Sequence, residues 1–154
     1  MSSRANQYCT FHLDGLYFGV QVEMVQEVIR YQEMTPVPLA SPVVRGLINL
    51  RGQIVTALDM RRRLEMPDRE DGELPMNVVL RTDEGALSLL VDEIGDVIEV
   101  DEESFESPPA TLRGRARDLV RGVHKLEGEL LLILDTEQAM SCAPESPHGV
   151  EVAA

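Results

Sequence analysis

From Tyr8 to Leu13 apolar and polar residues alternate, with Cys9, Phe11 and Leu13 on one face. Asp14-Gly15 then offers the positive φ of a tight turn before Leu16 to Val20. The pattern predicts a strand, a hairpin turn and a second strand. Val22, Val25 and Ile29 fit one helical stripe while Val22, Met24 and Val28 fit alternation, so a helical turn leading into a strand is expected. Pro36, Pro38 and Pro42 exclude a helix interior and a central strand, which makes residues 34–42 a bend. Val43 to Leu50, a turn at Arg51-Gly52-Gln53, and Ile54 to Leu58 form another hairpin. Asp59 then precedes Met60-Arg61-Arg62-Arg63-Leu64, where its carboxylate can cap a short helix that Pro67 closes. Residues 67–75 read as a charged linker. Met76 to Thr82, a turn at Asp83-Glu84-Gly85, and Ala86 to Val91 repeat the grammar.

The repeat is literal in two places. Val22-Glu23-Met24-Val25-Gln26-Glu27-Val28-Ile29 matches Val91-Asp92-Glu93-Ile94-Gly95-Asp96-Val97-Ile98 as Val, acid, x, aliphatic, x, acid, Val, Ile. Arg45-Gly46, Leu50, Gly52, Leu58 and Asp59 recur at Arg121-Gly122, Leu126, Gly128, Leu134 and Asp135, at a constant offset of 76. The expectation is an all-β body over residues 7–140 with short helices, made of two small barrels at about 14–66 and 74–140, whose boundary strands are free to cross over. Residues 1–6 and 141–154 are polar and expected to be mobile tails. Asp59 and Asp135 read as helix caps rather than catalytic acids. Two barrels side by side leave a cleft in which Val25, Val28, Ile94 and Val97 can face one another, the alternative being that all four are core.

Composition narrows the function. Apolar residues make up 44% of the chain but aromatics only 4%, with no Trp, so the core must be built of Val, Leu, Ile and Met in short strands. A formal charge of −13 argues against a nucleic-acid binder or a binder of anionic membranes. The local exception, Arg61-Arg62-Arg63, reads as the solvated face of a short helix or, alternatively, as part of a contact surface. No apolar run approaches the roughly 20 residues that cross a bilayer. Met1-Ser2-Ser3-Arg4 lacks a signal-peptide core, so a soluble cytoplasmic protein is expected. Cys9 and Cys142 are expected to be free thiols. His12, His124 and His148 show no metal-ligand spacing, Gly46 to Gly52 lacks the lysine of a phosphate loop, and no Gly-x-Ser-x-Gly elbow occurs. Asp101-Glu102-Glu103 and the acids of 68–73 read as solvated surface. Binding without catalysis, metal or cofactor is the expected class.

Arg45-Gly46-Leu47-Ile48-Asn49-Leu50-Arg51-Gly52-Gln53-Ile54-Val55, continuing into Leu58-Asp59-Met60-Arg61, resembles the signature of the CheW family of chemotaxis coupling proteins. The resemblance runs over about residues 8–140 and departs at Val55-Thr56-Ala57, where many members carry aliphatic-Pro-aliphatic. It implies two SH3-like five-stranded barrels and a non-catalytic adaptor between the cytoplasmic tip of chemoreceptors and the regulatory domain of the histidine kinase CheA. It also implies a chain that is monomeric alone and oligomeric in receptor arrays. Carried over by position, the receptor contact falls on Val25, Glu27, Val28, Ile94 and Val97, which turns the four aliphatics from core into groove. The kinase contact falls near Arg45, Gly46 and Ile54. Arg51 is expected to have a role at the repeated turn, where Glu127 stands in the second half. A coupling protein of a gliding or pilus pathway is the alternative within the family. A small-ligand sensor using the cleft is the alternative outside it.

Overall fold

The computed structural model describes residues 6–83, 85–112 and 114–141. The expected tails at 1–5 and 142–154, with Cys142 and His148, lie outside the described residues. Alternation produces strands where it is found: β1 (Gln7–Leu13) and β2 (Leu16–Gln21) join at Asp14-Gly15, with Asp14 at φ 47 and Gly15 at φ 82. A 3₁₀ turn at Val22–Met24 leads into β3 (Val25–Ile29). After the proline bend come β4 (Val44–Leu50), β5 (Gln53–Asp59) and the short helix α1 (Met60–Arg63). The second half runs through β6 (Met76–Thr82), β7 (Gly85–Val91) and β8 (Glu93–Glu99). It continues with a 3₁₀ turn at Glu102–Ser104, β9 (Phe105–Glu106) and α2 (Arg115–Leu119). It ends with β10 (Val120–Leu126), β11 (Glu129–Leu134) and α3 (Thr136–Met140). Both expected caps form: Asp59 accepts from the Arg61 amide and Asp135 from the Gln138 amide.

The strands form a five-stranded sheet, β3-β6-β7-β5-β4, and a six-stranded one, β8-β1-β2-β11-β10-β9. The fold is therefore all-β with short helices, but the two sheets do not divide the chain at residues 66–74. Residues 25–91 make the first sheet without a break, and the second is assembled from 7–21 and 93–134. The repeat explains this. β5 runs parallel to β7 with Thr56 opposite Leu87, and β11 runs parallel to β2 with Leu132 opposite Phe18. Leu132 lies 76 residues beyond Thr56, and Phe18 lies 69 before Leu87, the two offsets of the sequence repeat. The halves thus pair alike, yet each places its leading hairpin, β1-β2 or β6-β7, in the sheet of the other.

The exchange decides where the core sits. Phe11, Leu13 and Phe18 from the six-stranded sheet pack in one buried cluster with Leu58, Leu80 and Leu89 from the five-stranded one. Each sheet also encloses its own smaller cluster: Ile48, Val55, Val79 and Leu90 in one, Tyr8, Leu131 and Ile133 in the other. β7 is buried on both faces, Leu89 and Val91 toward the shared core and Leu90 inward, which accounts for its unbroken apolar run. Inside the five-stranded barrel Ser88 donates to Asn77 Oδ1 at 2.7 Å, and Asn77 Nδ2 donates to the Arg30 carbonyl, so this buried polar pair is satisfied.

The arginine run and Arg69 are held between chain segments, while the acids of 68–73 stand exposed, as expected. Asp92, the one residue between β7 and β8, joins the two sheets through its carboxylate. Arg61 donates Nε to Oδ1 at 2.8 Å and Nη2 to Oδ2 at 2.6 Å, and the Asp14 amide donates to Oδ2 at 2.8 Å. Arg69, only 8% exposed, reaches in from 67–75: Nη1 donates to Asp59 Oδ1 at 3.1 Å, and Nε lies 3.0 Å from Asp92 Oδ1, too bent for a hydrogen bond. Arg63 donates to the Ala139 and Gln138 carbonyls at the end of α3. Arg62, its side chain 35% exposed, reaches the Pro42 carbonyl and Asp68. Charge that pattern alone assigns to water is used between chain segments, because bidentate guanidinium groups satisfy buried carboxylates and helix-end carbonyls at once.

Candidate functional site

β3 and β8 are each the outermost strand of a sheet, paired on one side only, to β6 and to β1. The four aliphatics on them separate into two kinds. Val25 and Ile94, equivalent in the repeat, pack against the shared core. Val28 and Val97, also equivalent, stand 42% and 57% exposed. A register shift between Val25 and Glu27 on β3, and its counterpart facing β8 between Cys9 and Phe11, marks the same place in both sheets. Both edge strands therefore border the shared core through one residue and present the next valine to solvent.

Glu27 and Arg51, read separately from sequence, meet. Arg51 donates Nη1 to Glu27 Oε2 at 2.8 Å and Nη2 to Oε1 at 2.6 Å, a bidentate pair beside Val28. That hydrogen bonding holds the Glu27 carboxyl below the ordinary carboxylate range and raises the Arg51 guanidinium. The pair is possible because Arg51 takes φ 51 at the turn, and Gly52 beside it, at φ 88, donates its amide to Asn49 Oδ1. At the equivalent positions of the second half stand Asp96 and Glu127, two acids. The halves thus differ in charge at one matching point.

Arg45, Gly46 and Ile54 are not brought to one spot. Ile54, 59% exposed, pairs with Asn49 near the β4-β5 turn, while Arg45 is at the other end of the hairpin, its Nη1 3.6 Å from Asp59 Oδ2. Gly46 is buried, and a Cβ there would lie 2.6 Å from the Thr35 carbonyl oxygen. Its contribution is to let residue 35 bridge to Leu47 across the hairpin.

Pattern reading missed two features. Leu130, 76 residues after Ile54, is exposed at the same place in the second barrel, and the repeat offset alone would have found it. It borders a concavity of about 380 Å³ with Leu16, Tyr17, Leu112 and Leu132, and none of the sequence-derived contact residues lines that hollow. Among the described residues no group of three or more His, Cys, Asp or Glu is placed to hold a metal, and no helix is long and apolar enough to cross a membrane. Cys9 is a free thiol whose pKa burial raises.

The model of the CheW-like domain matches residues 7–143. The chain belongs to the CheW family. Family relatives agree along its length. The chemotaxis protein CheW of Bacillus subtilis is 29% identical over 141 residues, covering 88% of this chain and 90% of that protein. The chemotaxis protein CheW of Treponema pallidum is 28% identical over 139 residues, covering 88% and 82%. The crystal structure of the scaffolding protein TtCheW from Thermoanaerobacter tengcongensis superposes with a TM-score of 0.76 at 25% identity, over 84% of this chain and 88% of that one. This is a chemotaxis scaffold family, and the two-sheet architecture is its fold.

Proposed function

We propose that this CheW-family chain is a non-catalytic, cytoplasmic adaptor that couples methyl-accepting chemoreceptors to a CheA-type histidine kinase in a receptor array. The observation that carries the receptor surface is the repetition of an exposed valine, Val28 and Val97, at one equivalent position on the edge strand of each sheet. Single exposed aliphatics are ordinary; two at matching places, each backed by a core-packed neighbour, make a built surface. An amphipathic receptor helix fits an aliphatic ridge of this kind, and the Glu27 carboxylate, held by Arg51, supplies a fixed polar contact for its register. The kinase surface runs along the β4-β5 hairpin, with Ile54 the exposed anchor near its turn and Arg45 a charge at its far end. Such surfaces are individually small, so the chain is monomeric alone and gains avidity in the array.

Titration of a receptor cytoplasmic-tip fragment tests the receptor surface. Val97→Asp and Val28→Asp are each expected to weaken binding about tenfold or more, a loss of at least about 1.4 kcal/mol, with thermal unfolding unchanged. Val25→Asp is expected to unfold the chain instead, because Val25 packs on the core. Unaltered affinity in both exposed-valine variants contradicts the assignment.

A further inference from the structure

His124 is a buried titratable side chain that neither proposed surface uses. It lies on β10, 2% exposed, its ring centroid 5.9 Å from that of Tyr8 and 5.4 Å from that of Phe105, which meets it edge-on. Nδ1 is 2.7 Å from Ser104 Oγ, and the same hydroxyl donates to the Asp101 carbonyl at 2.7 Å. A carbonyl only accepts, so the hydroxyl proton goes to Asp101, and Nδ1 carries the proton shared with Ser104. The neutral ring is thereby held as one tautomer, and a second proton must enter at Nε2.

The segment over this ring is short and thinly attached. Asp101 caps the 3₁₀ turn, and β9 adds two residues to the edge of β10, pairing Phe105 with His124 and Glu106 with Val123. Gly122 lets it lie close, since a Cβ there would overlap the Phe105 ring and the Glu106 carbonyl. Phe105 is nevertheless exposed.

The surrounding charges are few. Asp101 favours the protonated ring, but its carboxylate is engaged by the Glu103 amide. Glu102 and Arg121 act on Tyr8 with opposite signs. Glu106 is paired outward with Lys125 at 3.4 Å, and β11 contributes the apolar Leu131 opposite. Burial holds the His124 pKa down, with the Asp101 charge opposing it.

We propose that residues 101–106 form a proton-sensitive strap, closed over neutral His124 and released when the imidazole is protonated, which bares the edge of β10. An imidazolium between Tyr8 and Phe105 has no carboxylate hydrogen-bonded to it among the described residues, so opening the strap to water is the favoured way to accept the charge. The closed state has the lower pKa. Its stability is complete above the open-state value, near the ordinary ~6.5, and is lost as pH falls below that toward the closed-state value.

Hydrogen exchange of the unmodified chain tests the strap. After correction for intrinsic rates, amides of 104–106 and 122–124 are expected to lose protection about tenfold per pH unit below pH ~6.5, while β7 amides hold theirs. His124→Gln, which keeps a hydrogen-bonding side chain but does not titrate, is expected to abolish the trend. If that variant does not fold, NMR titration of the native ring decides: a midpoint below the usual histidine value, with Phe105 shifting in step, supports the strap. Protection independent of pH, parallel loss in β7, the same trend in His124→Gln, or a ring midpoint at or above the usual value overturns it.

Discussion

Separated between Asp71 and Gly72, the two halves of the chain are expected not to fold alone and to regain native structure when mixed. The first fragment keeps β3, β4 and β5 but loses β6 and β7, which pair with β3 and β5; the second loses β1 and β2, which pair with β8 and β11. The repeat offers each fragment a decoy, since its own leading hairpin has the right alternation to fill the empty place. The side chains do not fit. In the first fragment Tyr8 and Gly19 would replace Asn77 and Ser88, the hydrogen-bonded pair inside the five-stranded barrel. The shared core around Phe11, Phe18 and Leu89 would also stand half open. Circular dichroism and amide NMR dispersion of each fragment and of the mixture measure this. A monomeric first fragment with a dispersed spectrum contradicts the exchanged topology.

Asp92→Ala is expected to lower the unfolding free energy by about 2–3 kcal/mol, somewhat less than a fully buried ion pair because solvent reaches one side of the cluster. The variant removes the bidentate partner of Arg61 and one of the two carboxylates beside Arg69, whose side chains are 13% and 8% exposed, and leaves the Asp14 amide without its acceptor. Urea unfolding at neutral pH measures it. Glu65→Ala, which opens the exposed Arg115–Glu65 pair, is the comparison and is expected to leave the unfolding midpoint nearly unchanged, because water screens the pair. Burial raises the Asp92 carboxyl, but the Arg61 hydrogen bonds, the Asp14 amide and the Arg69 charge outweigh it and leave its pKa depressed. The stability it contributes is therefore present above the unfolded value of ~3.9 and lost as pH falls through the lower folded value. The variant is expected to show a shallower acid limb. Equal unfolding midpoints for Asp92→Ala and the native chain would contradict the hub.

Much of the local structure was legible because its causes are local. Asp14-Gly15 fixes a hairpin, the prolines of 34–42 fix a bend, and Asp59 and Asp135 cap the helices they precede. The choice of partner for β1-β2 was not legible, since two equivalent hairpins present the same alternation to two equivalent sheets, and only packing of unlike side chains separates the pairings. The role of Arg69 was not legible for a related reason: one arginine in a charged linker does not stand out unless the distant acids that receive it, Asp59 and Asp92, are known. At the candidate site, sequence named Val25, Val28, Ile94 and Val97 together. The structure separates them by one question that alternation on an edge strand leaves open, which residue turns toward the core. Glu27 and Arg51 are 24 residues apart, and their pairing needed the β4-β5 turn to be placed beside β3.

The most direct measurement is kinase output from a reconstituted array of receptor, CheA-type kinase and this protein. Adding the native chain is expected to bring kinase activity under receptor control, and Val97→Asp, folded and still able to bind kinase, is expected not to. Kinase output that ignores the native chain, or responds equally to native and Val97→Asp protein, would contradict it.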